Sequence, residues 1–191
     1  MNKISILFFL FYTVFLNAQK SEIQKLYSVL ISQYDNAKKI VIKDSTSISY
    51  INLNDLDFDQ LKNEFNEFEN EFENIDIESE TFKDFKNQNA QHRKLLNDEF
   101  PDDKNVYLIT SDERKKIFKN NKRGWDKFYR KHPKSQGIFT FSNIGFNKEK
   151  NQALVYYGNQ SHYLAGIGYL AYLVKIQNVW KLAGLSELWI S

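Results

Sequence analysis

The chain has 191 residues, a net charge of +2 and no cysteine, and its hydrophobic content of 42% includes 16 Phe, 11 Tyr and 3 Trp. The missing cysteine excludes a disulfide framework, a thiolate nucleophile, a Cys-ligated zinc and a lipid-modified cysteine. Stability must then come from an apolar core, and a domain of this size buries around 70% of the surface its unfolded chain exposes.

Met1 to Ala18 reads as a signal peptide. Lys3 supplies a positive start, Ile4 to Leu16 form an apolar run too short for a spanning helix of roughly 20 residues, and Ala18 offers a small side chain for cleavage. The expectation is a periplasmic or secreted product, residues 19–191, forming a single domain with no membrane span.

Ser21 is placed to cap a helix reaching Tyr34, with Ile23, Leu26, Tyr27, Leu30 and Ile31 on one stripe; Lys39 to Lys43 suits a short strand. From Asn54 or Asp55, the residues Phe58, Leu61, Phe65, Phe68, Phe72 and Ile75 recur every three or four positions, predicting one long helix. Between Asp55 and Glu80 lie 11 acids and one lysine, so the rest of that helix is a charged, solvated surface. Aromatic seam positions over fewer than three heptads suit packing on a sheet or helix better than a coiled coil. A short helix carrying Phe82 and Phe85 follows, and Pro101 closes the region.

Val106 to Ile109 reads as a strand, and Thr110 with Glu113 fits a capping box opening a basic helix to about Asn120. A second helix starts near Trp125 and ends near His132, because Pro133 disfavours helical backbone in the residue before it. Ser111 to Lys134 carries ten basic and three acidic residues. Trp125, with Phe128, Tyr129, Arg123, Lys127, Arg130 and Lys131, is therefore a candidate binding cluster for anionic glycans or lipids, as on an anionic surface, against the simpler reading of aromatics inward and charges outward. No nucleic-acid motif accompanies it, so nucleic acid is not an expected partner.

All seven glycines lie from Gly124 onward, where the hydrophobic period becomes two. Gly137–Phe146, Gln152–Tyr157, Gly166–Ile176 and Val179–Ile190 read as antiparallel strands, the last two joined by a tight Gln177–Asn178 turn. Helices first and strands last predict an α+β domain, with N-terminal helices on an antiparallel sheet of about four or more strands.

No catalytic spacing stands out. His92, His132 and His162 lack HExxH or HxH spacing, and no GxSxG, SxxK or GxxxxGK segment occurs. No metal or cofactor is expected. His162, in the segment between two strands, is the one candidate catalytic residue, acting with carboxylates borne on the sheet if the protein is a hydrolase. Gly166–Ile167–Gly168 is a fragment of a dinucleotide loop that a strand runs through, and suits a bulge or a close backbone contact instead.

The C-terminal third, through Gly124–Trp125, Gly145–Phe146–Asn147, Ala153 to Tyr156, Gly166 to Tyr169, Trp180 and Trp189–Ile190–Ser191, resembles a group of exported Bacteroidota proteins without an assigned activity. The resemblance implies location and a domain type, not a site. The strand order is also loosely similar to a cystatin-like or NTF2-like sheet, an analogy of fold alone. The functional expectation is a non-catalytic exported domain that binds a protein or small-molecule partner, with the hydrolase as the alternative.

Overall fold

The structure, a computed structural model, describes residues 22–34, 37–48, 50–69, 75–119 and 123–191. The signal peptide, the Ser21 cap, Phe72 and Asn120 lie outside the described residues. The fold is α+β, as the sequence predicts. Among the described residues, five α-helices accompany a mixed sheet of seven strands. The strands are β1 (Lys39–Lys43), β2 (Val106–Ile109), β3 (Ser135–Phe141), β4 (Gly145–Phe146), β5 (Gln152–His162), β6 (Ala165–Ile176) and β7 (Val179–Ile190). The helices are α1 (22–32), α2 (Phe58–Glu67), α3 (Ser79–Gln88), α4 (Ser111–Phe118) and α5 (Gly124–Lys131).

The sheet runs β2-β1-β3-β5-β6-β7, with β4 paired to β5. Strands β3, β5, β6 and β7 are antiparallel neighbours, while β1 lies parallel to both β2 and β3. Parallel neighbours need long crossovers; here α2 with α3 links β1 to β2, and α4 with α5 links β2 to β3. The β6–β7 turn holds Gln177 at φ 48° and Asn178 at φ 64°, left-handed geometry at both positions that matches the strand twist. The expected Gly158–Ala165 loop is instead strand, reversed tightly at Tyr163–Leu164.

Each strand divides its side chains between two faces. On one face Ile40, Ile42, Phe139, Phe141, Val155 and Tyr157 bury against Leu26, Tyr27, Leu30 and Ile31 of α1. The helix is held at its start by Glu22, whose carboxylate accepts from Trp180 Nε1 (2.8 Å) and pairs with Lys175. The opposite face has two separate covers. Over Leu154, Tyr156, Leu170 and Tyr172 lie Leu61 and Phe65 of α2 and Phe82 and Phe85 of α3. Over Val41 and Ile138 lie Ile117 of α4 and Trp125 and Phe128 of α5.

The long Phe-rich helix is shorter than its periodicity predicts. It is capped by Asp57, whose side chain accepts from Gln60 N at 2.8 Å, and it stops at Glu67, with Phe68 extended. Lys62 pairs with Asp76 at 2.6 Å and Asn66 donates to Asp76 at 3.1 Å. In a continuous helix residues 62 and 76 are roughly 21 Å apart along the axis, so the chain has turned back. Gln152 holds the return: its side chain accepts from Glu78 N and Thr81 Oγ1 and donates to the Asp76 carbonyl. Ile77 is consequently buried and Ile75 exposed.

The capping box at α4 is half formed. Thr110 Oγ1 accepts from Glu113 N at 3.1 Å. The Glu113 carboxylate, which the motif aims at the cap, instead accepts from Tyr107 Oη at 2.7 Å and pairs with Lys131 at 2.7 Å, so it joins β2, α4 and α5.

Candidate functional site

The two covers on the second face leave a gap between them, and the gap is a pocket of about 460 Å³, within the roughly 300–1,000 Å³ of small-molecule sites. Its floor is the sheet: Lys43 from β1, Thr140 from β3, and Tyr156 with Gly158 from β5. One wall comes from Phe118, Trp125 and Tyr163, the other from Tyr50 and Trp189. Arg114 and Lys115 of α4 stand over it. Among the described residues, three cations line this pocket and no carboxylate does.

Lys43 follows from strand alternation. Val41 faces the α4–α5 cover, so two residues on Lys43 faces the same way, past the edge of that cover and into the gap. Among the described residues no carboxylate lies within ion-pair distance of Lys43 or Arg114. Burial, with the adjacent Arg114 charge adding to it, pushes the Lys43 amine down to about 8.

The walls are held by glycines and hydrogen bonds. Trp189 lies on the backbone of Gly166 and Gly168: a Cβ on Gly168 would stand 2.0 Å from the indole nitrogen, and one on Gly166 3.0 Å from Cζ3. The Gly-Ile-Gly segment is thus a close-contact site, with a register shift between Gly168 and Tyr169 beside it. Trp189 Nε1 donates to Tyr156 Oη at 3.0 Å, and burial pushes the Tyr156 hydroxyl up to about 12, so it stays protonated. Tyr50, at φ 73° in the left-handed region, sets its ring 5.1 Å from Trp189.

On the other wall, Tyr163 Oη accepts from Gly124 N (3.1 Å) at the start of α5, and Tyr129 Oη donates to the Ser161 carbonyl (2.8 Å). These bonds clamp the β5–β6 hairpin onto α5. A Cβ on Gly124 would stand 2.4 Å from Phe118, so glycine here lets α4 and α5 close up.

Of the sequence-predicted site residues, only Trp125 lines the pocket. Arg123, Lys127, Arg130 and Lys131 are exposed on the outer side of α5, while Trp125 and Phe128 face inward. Arg123 and Arg130 flank a separate surface depression with Asp126 and Tyr129. His162 is exposed at the end of β5, its ring stacked 6.3 Å from Trp125, and no described carboxylate pairs with it. His92 borders a smaller cavity of about 280 Å³ beside Asn143. His132 is buried between Tyr107 and Phe128, 3.4 Å from Glu113; burial lowers its proton affinity and the charge of Lys39 adds to that. It has no access to a ligand.

Sequence reasoning missed Lys43, Arg114, Tyr156 and Trp189 as one site. The signals that were there are the strand alternation that points Lys43 with Val41 and the glycines opposite Trp189. No protein family, curated protein or solved structure matches the chain. For metals, Glu78, Glu80 and Glu149 bring carboxylate oxygens within 4.8 Å of one another, but all three are exposed. Glu78 and Glu80 lie at the start of α3, where the helix dipole favours acids without any ion. No described helix is long and apolar enough to cross a membrane.

Proposed function

We propose that this protein is an exported binding domain whose pocket takes a small organic anion with a planar or apolar body. The observation that carries the reading is the pocket lining: Lys43, Arg114 and Lys115 with no carboxylate among the described residues, set between aromatic walls. Lys43 and Arg114 are both half-buried and have no carboxylate partner among the described residues, an arrangement that is unfavourable unless an anion comes to it. Trp125 and Trp189 supply flat apolar faces, and Thr140, Asn159 and Gln160 supply polar groups that orient a bound molecule. This lining holds an anion; among the described residues it contains neither an imidazole nor a carboxylate to act as general base. The Lys3, Ile4–Leu16 and Ala18 pattern supports export, and no cysteine is present for lipid attachment.

The test uses two dyes that share a fused aromatic body and differ in charge. 8-Anilinonaphthalene-1-sulfonate should bind at one saturable site, at least ten times more tightly than the neutral N-phenyl-1-naphthylamine, and Lys43→Met should weaken that preference. Equal affinity for both dyes, or a preference untouched in Lys43→Met, contradicts the reading.

A further inference from the structure

We propose that Lys43 captures carbonyl compounds covalently, its Nζ condensing with an aldehyde or ketone group of an anion held in the pocket to form an imine. The inference rests on the anion-binding reading and adds a reactive amine to it.

Three structural features place a nucleophile at this position. Lys43 is partly buried on the pocket floor, so a molecule entering the pocket meets its amine. No described carboxylate holds it as an ammonium ion. The titratable groups that share the lining are Arg114 and Lys115 from α4, Tyr50 from the segment after β1, Tyr156 from β5 and Tyr163 from the β5–β6 turn. None of them is a carboxylate, and the adjacent Arg114 guanidinium disfavours the protonated form of Lys43. Desolvation beside a second cation is a recognised way to make a lysine amine nucleophilic. Its proton affinity moves accordingly, to about 8, leaving a much larger neutral fraction near neutral pH than on an exposed lysine.

In the reaction the Nζ lone pair attacks the carbonyl carbon, an N–C bond forms and the C=O π bond opens to a carbinolamine. The oxygen then leaves as water with the two hydrogens of the amine, and a C=N bond remains. No oxidant or reductant is needed, and solvent relays the protons. Arg114 and Lys115 hold the anionic end of the ligand, and the Trp125 and Trp189 walls suit an aromatic carbonyl compound.

The experiment treats the protein at pH 8 with 4-formylbenzoate, reduces any imine with borohydride and maps the modified lysines by peptide mass spectrometry. Lys43 should be labelled at least ten times faster than any exposed lysine, and benzaldehyde should label it at least tenfold more slowly than the anionic aldehyde. Lys43→Arg, folded as judged by its urea transition, should lose the label. Arg114→Gln should shift the labelling pH profile upward, an effect that a merely accessible lysine lacks. Labelling of Lys43 no faster than exposed lysines overturns the proposal; if the anionic dye still binds in that case, the anion-binding reading stands without it. Equal labelling by the two aldehydes, with no dye bound, overturns the anion-binding reading on which the proposal rests.

Discussion

Replacing Lys43 by methionine should stabilise the protein at pH 7. Methionine retains the apolar stem and removes a charge that the folded state holds away from water beside Arg114. The amine falls from the ordinary 10.5 to about 8 on folding, and at about 1.4 kcal/mol per unit this corresponds to roughly 3 kcal/mol of penalty on the charged form. The side chain is only partly buried, so the expected gain is about 1–3 kcal/mol. The pH dependence has a definite sign. Below pH 8 the amine is protonated in both folded and unfolded states, and the penalty is fully present. Between 8 and 10.5 the unfolded chain binds more protons, so wild-type stability rises with pH and the advantage of the variant shrinks. Above 10.5 it vanishes. Urea unfolding of both proteins at pH 7 and pH 10 measures the effect. A variant less stable than wild type at pH 7, with a difference that ignores pH, would refute the argument and show that Lys43 has a counter-ion in the free protein.

Gly168→Ala pushes a Cβ into the indole of Trp189, which a rigid ring cannot accommodate; a loss of about 1–3 kcal/mol in urea unfolding is expected, together with weaker binding of the anionic dye as the wall moves. Asn89→Ala removes the side chain that donates to the Asn143 carbonyl (3.0 Å) and accepts from Asn143 N (2.9 Å); the carbonyl keeps Ser142 Oγ as a donor (2.7 Å), and the buried Asn143 N–H is left unpaired. The transition midpoint should fall by the equivalent of about 1–3 kcal/mol. His132 is held neutral by burial, so the unfolded chain takes up its proton first, and stability should fall as pH drops below about 6.5. Wild-type stability relative to His132→Phe should therefore decrease as the pH drops below about 6.5, and parallel curves contradict the assignment.

The strands were legible because alternating side chains on a two-sided sheet leave a period of two, and Gln177–Asn178 announced its hairpin through residues that tolerate positive φ. The parallel placing of β1 and β2 was not legible. Nothing local in Lys39–Lys43 says which strand it pairs with across a long crossover. Periodicity also overstated the Phe-rich helix, since it records which residues are apolar and not where Gln152 will turn the chain back at Glu78. For the site, Trp125 was visible as an aromatic beside basic residues, yet those basic residues are solvated on the outer side of α5. The cations that line the pocket come from β1 and α4, segments distant in sequence that meet only because α4 packs beside β1 on one face of the sheet. A lone lysine ending a strand carries no such signal by itself.

The most direct measurement is the titration of the Lys43 amine by heteronuclear NMR, in the free protein and with a saturating aromatic carboxylate such as 2-naphthoate. A midpoint near 8 is expected in the free protein, with a clear upward shift when the anion is bound, since a bound negative charge favours the ammonium form. An amine that titrates at the same pH with and without the anion contradicts a pocket built around Lys43.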